Sequence, residues 1–202
     1  MNNQLSDLFA KYYNFHGVGN SPSTYFIWPD QLLSLFLKWD IKRFFDSGCR
    51  NRDWIKNNKF AENGITYLGG DISIPIVKMC NNLFPELKII HHDATTDPFP
   101  DVDLIFSSDV MIHLNNRDKL RFLKNFKKSN IKYLLMTHGD DNIQNSDFEY
   151  SNTVFPFANV SWTNSPWNFP AELDSIDDWP GDKRLRLWSK DQLSEIIDNL
   201  IL

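Results

Sequence analysis

The sequence predicts a single α/β domain built on a doubly wound, mostly parallel sheet with helices on both faces and an aromatic-rich C-terminal cap. Two observations predict this fold class. Short apolar segments alternate with helical patterns through the middle of the chain, and those segments are apolar almost throughout, as is typical of strands buried on both faces. A length of 202 residues suits one domain, which we divide into N-terminal helices over 1–40, a core over 41–140 and a cap with edge strands over 141–202.

Two helices are expected ahead of the first strand. Apolar residues recur at helical spacing from Ser6 to Phe15, and a loop rich in glycine, asparagine and proline follows at 16–24. The second helix is expected over 28–39, because Pro29 is preorganised for a first helical turn and a dense apolar face comes after it.

Five strand-like segments then follow. They are KRFFDSGC (42–49), ITYLGGD (65–71), KIIHHD (88–93), VDLIFSSD (102–109) and IKYLLMTH (131–138). Helical patterns separate them, through DWIKNN (53–58), from Ser73 to about Leu83, and from about Asn115 to about Lys128. This repeated strand and helix pattern predicts parallel strands, whose carboxyl ends form the ligand-binding edge of such a sheet.

The last third of the chain has a different composition and no long helical period. RLRLW (184–188) alternates and predicts an antiparallel edge strand, and SKDQLSEIIDNL (189–200) predicts a capped helix. Four aromatic residues in the cap stand among asparagines and prolines: Trp162, Trp167, Phe169 and Trp179. They could bind a sugar or another small polar molecule, or pack into an irregular core, and the sequence leaves both open.

Charge and composition restrict the function classes. A net charge of −5 and a pI near 5.5 provide no global positive field for nucleic acid, and the short group Lys124, Lys127 and Lys128 is better explained as a solvated helix face. The apolar run over 32–39 is far too short to span a membrane. Two cysteines and no leader-like segment predict a soluble cytoplasmic protein.

Acidic residues follow three consecutive predicted strands. Asp46 and Gly48 end the first, Asp71 follows the second at about the distance of a ribose-binding acid, and Asp93 closes the third. A carboxylate can accept hydrogen bonds from ribose hydroxyls, and a glycine lets backbone amides approach a cofactor. Aspartates at strand ends are also common turn formers, but three in a row favour a nucleoside site.

The same segments resemble a known family. FFDSGC, YLGGDIS, HHDATTDPFPDVDLIFSSDVMIHL and YLLMTH are similar, in that order, to the class I S-adenosylmethionine-dependent methyltransferases. More narrowly they resemble small bacterial and viral members with D-x-G-C, Y-x-G-x-D-I and D-x-T-x-D-P-x-P-x-x-D-L motifs. The resemblance extends from Phe9 to about Trp188 and is densest over 45–114. It implies a Rossmann-like fold and S-adenosylmethionine as cofactor.

The resemblance also implies roles for individual residues. Asp46, Gly48 and Cys49 would line the methionyl end of the cofactor, Asp71 and Ile72 the ribose and adenine, Asp93 and Ala94 the adenine edge, and Ser108 and Asp109 the reaction centre. Arg50, Asn51 and Arg52 depart from the family pattern, which has small residues there. Arg50 or Arg52 could pair with the methionyl carboxylate, although positive charge near a sulfonium is repulsive.

Three functions follow from these residues. The first is a methyltransferase acting on a small molecule or saccharide, most plausibly at oxygen, with His113 and Asp109 at i, i+4 as the catalytic pair. The same spacing also suits His113 as a structural residue. The second is a non-catalytic binding or partner subunit with a degraded cofactor loop. The third, an enzyme of nicotinamide dinucleotides, is disfavoured because no complete G-x-G-x-x-G follows the first strand.

The remaining histidines are two further features that could carry chemistry. His138 is a second candidate base, but it could equally satisfy backbone groups in the turn after the fifth strand. His91 and His92 are adjacent on a strand and point to opposite faces, so we assign no metal to them or to His138 with its neighbouring aspartates. The acceptor and the oligomeric state are not determined by the sequence.

Overall fold

The structure is a computed structural model that describes residues 7, 8, 11, 28–50, 55, 59–151, 156–177 and 184–201. The chain divides into two compact units, Met1–Asp93 and Ala94–Leu202. The expectation that they make a single domain stays a prediction. Within the described ranges, no helix combines the length and the apolar character that a bilayer span requires.

The first unit contains three parallel strands. Its elements are α1 (Trp28–Lys38), β1 (Arg43–Ser47), a 3-10 turn (Ala61–Asn63), β2 (Thr66–Asp71), α2 (Ile74–Leu83) and β3 (Ile89–His91). β2 lies in the middle and pairs with β1 on one side and β3 on the other. Phe36 of α1, Phe44 of β1 and Phe60 pack with ring centroids 4.8–5.6 Å apart, which fixes α1 against this part of the sheet.

The second unit contains four strands. Its elements are β4 (Leu104–Ser107), a 3-10 turn (Met111–His113), α3 (Asn116–Lys128), β5 (Tyr133–His138), β6 (Asp174–Asp177), β7 (Arg184–Ser189) and α4 (Lys190–Asn199). β4 and β5 are parallel, and β7 runs antiparallel to both β5 and β6.

Side-chain caps explain where the two helices of the second unit begin. The Asn115 side chain accepts a hydrogen bond from the Asp118 amide at 3.0 Å and so caps α3. Ser189 and Gln192 form a reciprocal capping box at the start of α4. Lys127 of α3 forms an ion pair with Asp198 of α4, so this lysine is not simply part of a solvated face.

The predicted strands are all present, and most helices agree with the sequence. One prediction was wrong: RLRLW is antiparallel, but it is not an edge strand, because β6 pairs with its other side. A helix starting at Ser6 is described only at residues 7, 8 and 11, which are helical. The predicted helix over 53–58 lies outside the described residues apart from residue 55. The predicted loop over 16–24 also lies outside them.

The aromatic residues of the cap were expected either to bind a sugar or to pack into a core, and the structure shows packing. Trp162, Trp167 and Phe169 are buried, and their rings pack with centroids 5.1 and 5.2 Å from Trp162. Phe169 packs in turn on Trp188 of β7. These rings are core residues rather than a sugar-binding platform, and Trp179 lies outside the described residues.

Candidate active site

Three buried carboxylates lie at the carboxyl edge of the first unit. Asp46 and Asp71 are each 3% exposed, and Asp93 is also buried. Asp46 is in register with Gly69, two residues before Asp71, so the two carboxylates lie on the same face of the sheet. Asp93 follows β3, the neighbour of β2. The three acidic residues are therefore on adjacent strands, as the sequence predicted.

Asp71 is held by two backbone amides. Its Oδ1 accepts a hydrogen bond from the Ser73 amide at 2.9 Å, and its Oδ2 accepts one from the Arg50 amide at 3.2 Å. Asp71 therefore fixes the turn after β1 and the start of α2. A carboxylate at this place in the fold is of the kind that accepts hydrogen bonds from ribose hydroxyls.

The turn after β1 is folded onto β2. The amides of Gly48 and Cys49 both donate to the Gly70 carbonyl, at 2.8 and 3.0 Å. Gly48 has a φ of 77°, a conformation that favours glycine. Gly70 is also required, since a Cβ there would collide with the Phe45 ring. These two amides are thus used within the protein, and the expectation that the turn approaches a cofactor stays a prediction.

Arg50 has a backbone conformation that is usually adopted by glycine. Its φ is 50°, in the left-handed region, where the resemblance places a small residue. The sequence departs from the family pattern here, but the turn retains a glycine-like conformation. The side chain is half-buried. Arg52, the other candidate partner for the methionyl carboxylate, lies outside the described residues.

Three of the expected site residues have a side chain or a carbonyl group engaged within the protein. The Cys49 side chain is buried in an apolar cluster, so contact with a cofactor there would come from its main chain. The Ile72 carbonyl accepts a hydrogen bond from the His91 ring at 3.1 Å. The Ala94 carbonyl accepts one from the Asn125 side chain at 3.0 Å.

His91 and His92 lie on opposite faces of the sheet. His91 is exposed and bonds to Ile72, whereas His92 is buried with its ring 4.9 Å from that of Phe45. Across the described ranges no three or more His, Cys, Asp or Glu side chains are grouped so that they could hold a metal ion.

In the second unit, the residues after β4 differ from expectation. Asp109 has a φ of 55° and its amide donates to the Thr137 hydroxyl at 2.9 Å. Only a 3-10 turn follows, Met111–His113. Asp109 and His113 therefore do not share one face of an α-helix, and the spacing argument that paired them was wrong. Ser108 and Asp109 are both half-buried.

His113 has a defined tautomer when its ring is neutral. The ring is buried, and Nδ1 lies 2.8 Å from the Pro156 carbonyl, which can only accept. Nδ1 must then carry the proton, and the basic lone pair is on Nε2.

His138 is structural. Its Nδ1 accepts a hydrogen bond from the Trp162 amide at 3.1 Å, and its Nε2 donates to Asp141 at 2.9 Å. Burial, followed by the positive charge of Arg186, lowers the pKa of His138. With both ring nitrogens used, this histidine has no lone pair for a substrate proton, in agreement with the structural alternative.

Some buried polar atoms without a hydrogen-bond partner were not singled out from the sequence. Within the described residues they include Ser73 Oγ, Ser107 Oγ and Asn159 Oδ1. Ser73 precedes α2 beside Asp71, and Ser107 ends β4. Ser107 could have been singled out from the sequence because it lies at the end of a predicted strand, whereas nothing in the sequence indicated Asn159. Unpartnered buried groups at strand ends are typical of ligand sites.

Residues 45–129 match the family model of a methyltransferase domain. Similar solved structures cover nearly the whole chain. Magnesium protoporphyrin IX methyltransferase from Synechocystis PCC 6803, with bound SAH, is 11% identical over 94% of this chain and 99% of its own, with a TM-score of 0.64. A protein of Pyrococcus horikoshii OT3 is 14% identical over 89% of this chain and 98% of its own, with a TM-score of 0.63.

A third similar structure is an S-adenosylmethionine-dependent methyltransferase from Clostridium acetobutylicum ATCC 824. It is 12% identical over 90% of this chain and 97% of its own, with a TM-score of 0.59. No curated protein sequence matches significantly. These structures confirm the predicted Rossmann-like fold class. The match over residues 45–129 identifies a methyltransferase domain in this part of the chain, and it supports S-adenosylmethionine-dependent methyl transfer as the activity.

Proposed function

We propose that this methyltransferase transfers the methyl group of S-adenosylmethionine to a hydroxyl oxygen of a small molecule or saccharide. The observation that supports the site is the row of buried carboxylates Asp46, Asp71 and Asp93 on three adjacent parallel strands. Nucleoside ligands in α/β folds bind at this edge of the sheet. The narrower resemblance to small bacterial and viral enzymes is part of the same proposal.

The residues present suit the cofactor. Asp71 would bind the ribose hydroxyls through its carboxylate, and the unpartnered hydroxyl of Ser73 lies two residues further along the chain. Ile72, Asp93 and Ala94 would contact the adenine. The methionyl end would meet Asp46, Gly48, the main chain of Cys49 and, by charge pairing, Arg52, while Ser108 would border the methyl group. When bound, the cofactor supplies a methyl group already activated on a sulfonium.

His113 would act as the general base. Attack by a hydroxyl oxygen is faster when its proton is removed, and Nε2 of the neutral ring carries the lone pair. The Pro156 carbonyl on Nδ1 orients the ring and holds its tautomer. Asp109 would assist through its negative charge and not through a shared helical face. The chain's own task is to align the acceptor and to exclude water.

The surroundings of His113 suggest the kind of acceptor. Phe157 is 57% exposed and its ring centroid lies 6.1 Å from that of His113. An acceptor with an apolar face beside its hydroxyl group would suit this exposed ring. We place this reaction in the cytoplasm, where Cys49 and Cys80 would stay as the thiols seen here.

One observation favours the rival function. The amides of Gly48, Cys49 and Arg50 are all used within the protein, so this turn offers few donors to a ligand. A partner subunit without a cofactor would show the same arrangement. Calorimetric titration with S-adenosylmethionine, S-adenosylhomocysteine and NAD separates these functions. We expect micromolar binding of the first two; no binding at millimolar ligand would support the partner subunit.

The acceptor is tested with methyl-labelled S-adenosylmethionine and a panel of hydroxylated small molecules and oligosaccharides, with products identified by mass spectrometry. We expect the labelled methyl group to be found in a methyl ether of a small molecule or saccharide. His113→Gln should lower kcat and leave S-adenosylhomocysteine affinity unchanged. Label found on nitrogen, or full activity in His113→Gln, would contradict the proposed chemistry.

A further inference from the structure

The turn after β1 holds an unfavourable backbone conformation without a glycine at residue 50. Arg50 has a φ of 50°, which L-residues with a Cβ adopt at a cost. Such a conformation persists where surrounding contacts determine it. The contacts at Arg50 are therefore part of what shapes the turn.

Both backbone groups of Arg50 are bonded to side chains of other elements. Its amide donates to Asp71, the last residue of β2, at 3.2 Å. Its carbonyl accepts a hydrogen bond from the thiol of Cys80, with Sγ and O 2.9 Å apart. Cys80 lies within α2 and is completely buried. One residue from the strand and one from the helix thus fix the two peptide planes that flank Arg50.

The Cys80 thiol donates a hydrogen bond that an apolar side chain at this position could not donate. Cys80 belongs to an apolar cluster with Ile76, Val77 and Phe84, where an aliphatic side chain would serve for packing. A thiol is a weak donor, and a buried carbonyl without a donor is costly. Cys80 is well suited to its place because it packs like an apolar residue and still donates.

We propose that Cys80 is a positioning residue for S-adenosylmethionine, holding residues 48–50 in the conformation that the cofactor meets through its hydrogen bond to the Arg50 carbonyl. This proposal rests on the assignment of the turn after β1 to the methionyl end of the cofactor. Cys80 itself does not touch the cofactor. Its effect passes through the main chain of Arg50 and the carboxylate of Asp71.

The test compares Cys80→Ala, Cys80→Ser and Val77→Ala. Val77→Ala is the matched control, because Val77 lies in the same helix and apolar cluster and makes no hydrogen bond to the turn through its side chain. We measure the Kd for S-adenosylhomocysteine by calorimetry and the melting temperature of each variant. Loss of one net hydrogen bond predicts a Kd about 2- to 10-fold higher for Cys80→Ala. Cys80→Ser, which keeps a donor, should bind nearly as tightly as the wild type.

A structural role alone would lower the melting temperature in Cys80→Ala and Val77→Ala and change their Kd equally, which would overturn the proposal. Hydrogen exchange without ligand provides a second measurement. The Arg50 amide should exchange faster in Cys80→Ala than in the wild type or Val77→Ala, and equal rates would also overturn it. The wild type could fail to bind S-adenosylhomocysteine while the Arg50 amide still exchanges faster in Cys80→Ala. In that case the cofactor assignment would be wrong, but Cys80 would still be shown to fix the conformation of the turn.

Discussion

Replacement of Arg50 tests the conclusion that a glycine-like turn survives without glycine. A non-glycine residue in the left-handed region costs about 1–2 kcal/mol. Glycine removes this cost but gains freedom in the unfolded chain, which offsets about 0.4–1 kcal/mol. With a φ of 50° at Arg50, Arg50→Gly should stabilise the fold by about 0.5–1 kcal/mol.

Arg50→Ala is the matched control, because alanine removes the guanidinium but keeps a Cβ in the strained conformation. Arg50→Gly should melt above Arg50→Ala by about 1–4 °C in a chain of this size. Differential scanning calorimetry measures both variants. A lower melting temperature for Arg50→Gly than for Arg50→Ala would refute the assignment of strain to this position.

The same pair of variants reports on the guanidinium. If Arg50 pairs with the methionyl carboxylate, both variants bind S-adenosylhomocysteine more weakly than the wild type. If Arg50 obstructs the site, both bind more tightly. An affinity that differs between Arg50→Gly and Arg50→Ala would show that the backbone, not the charge, controls binding.

Three other substitutions test further contacts. Asp71→Asn keeps the size of the side chain, but its NH2 group must then point at one of the two backbone amides that Asp71 accepts from. We expect a loss of about 2–4 kcal/mol in the free energy of unfolding and in that of cofactor binding. Tyr150→Phe removes a hydroxyl that donates to buried Asp118 at 2.9 Å and accepts from the backbone amide at the start of α3; urea unfolding should show a loss of about 1–3 kcal/mol. Because burial and the charge of Arg186 lower the pKa of His138 in the folded protein, the unfolded chain takes up a proton there first as pH falls below about 6.5. The free energy of unfolding should therefore fall on acidification below that pH, and His138→Gln should flatten this part of its pH dependence.

Distinct results would contradict each expectation. Unchanged stability of Asp71→Asn would mean that its two amide bonds do not hold the turn. A Tyr150→Phe variant as stable as the wild type would show that water replaces the hydroxyl. A wild-type profile that is flat between pH 7 and about 5.5, near the ordinary histidine range, would mean that His138 titrates alike in the folded and unfolded chain.

Local patterns were enough for the elements and for the residues at strand ends. The apolar runs located β1 to β5, and the Ser189 capping box located the last helix. Asp46, Asp71 and Asp93 could be singled out because each lies at or just beyond the end of a strand, and parallel neighbours bring such ends to one edge. These features depend on residues close together in sequence, where periodicity and capping operate.

The partners of each polar group could not be read from the sequence. Asp71 meets the Arg50 amide, His113 meets the Pro156 carbonyl, and Cys80 meets the Arg50 carbonyl only through the fold. The same holds for the left-handed φ at Asp109, which removed the predicted helical pairing with His113.

The sequence by itself determined the order of strands and helices, the acidic strand ends and, through its resemblance, the cofactor class. Only the tertiary structure decided which amides the turn after β1 keeps for itself, that β7 lies between two strands, and that Trp162 and Trp167 are core. The physical reason is that periodicity and capping act over a few residues, whereas hydrogen-bond pairing and burial depend on segments far apart in the chain.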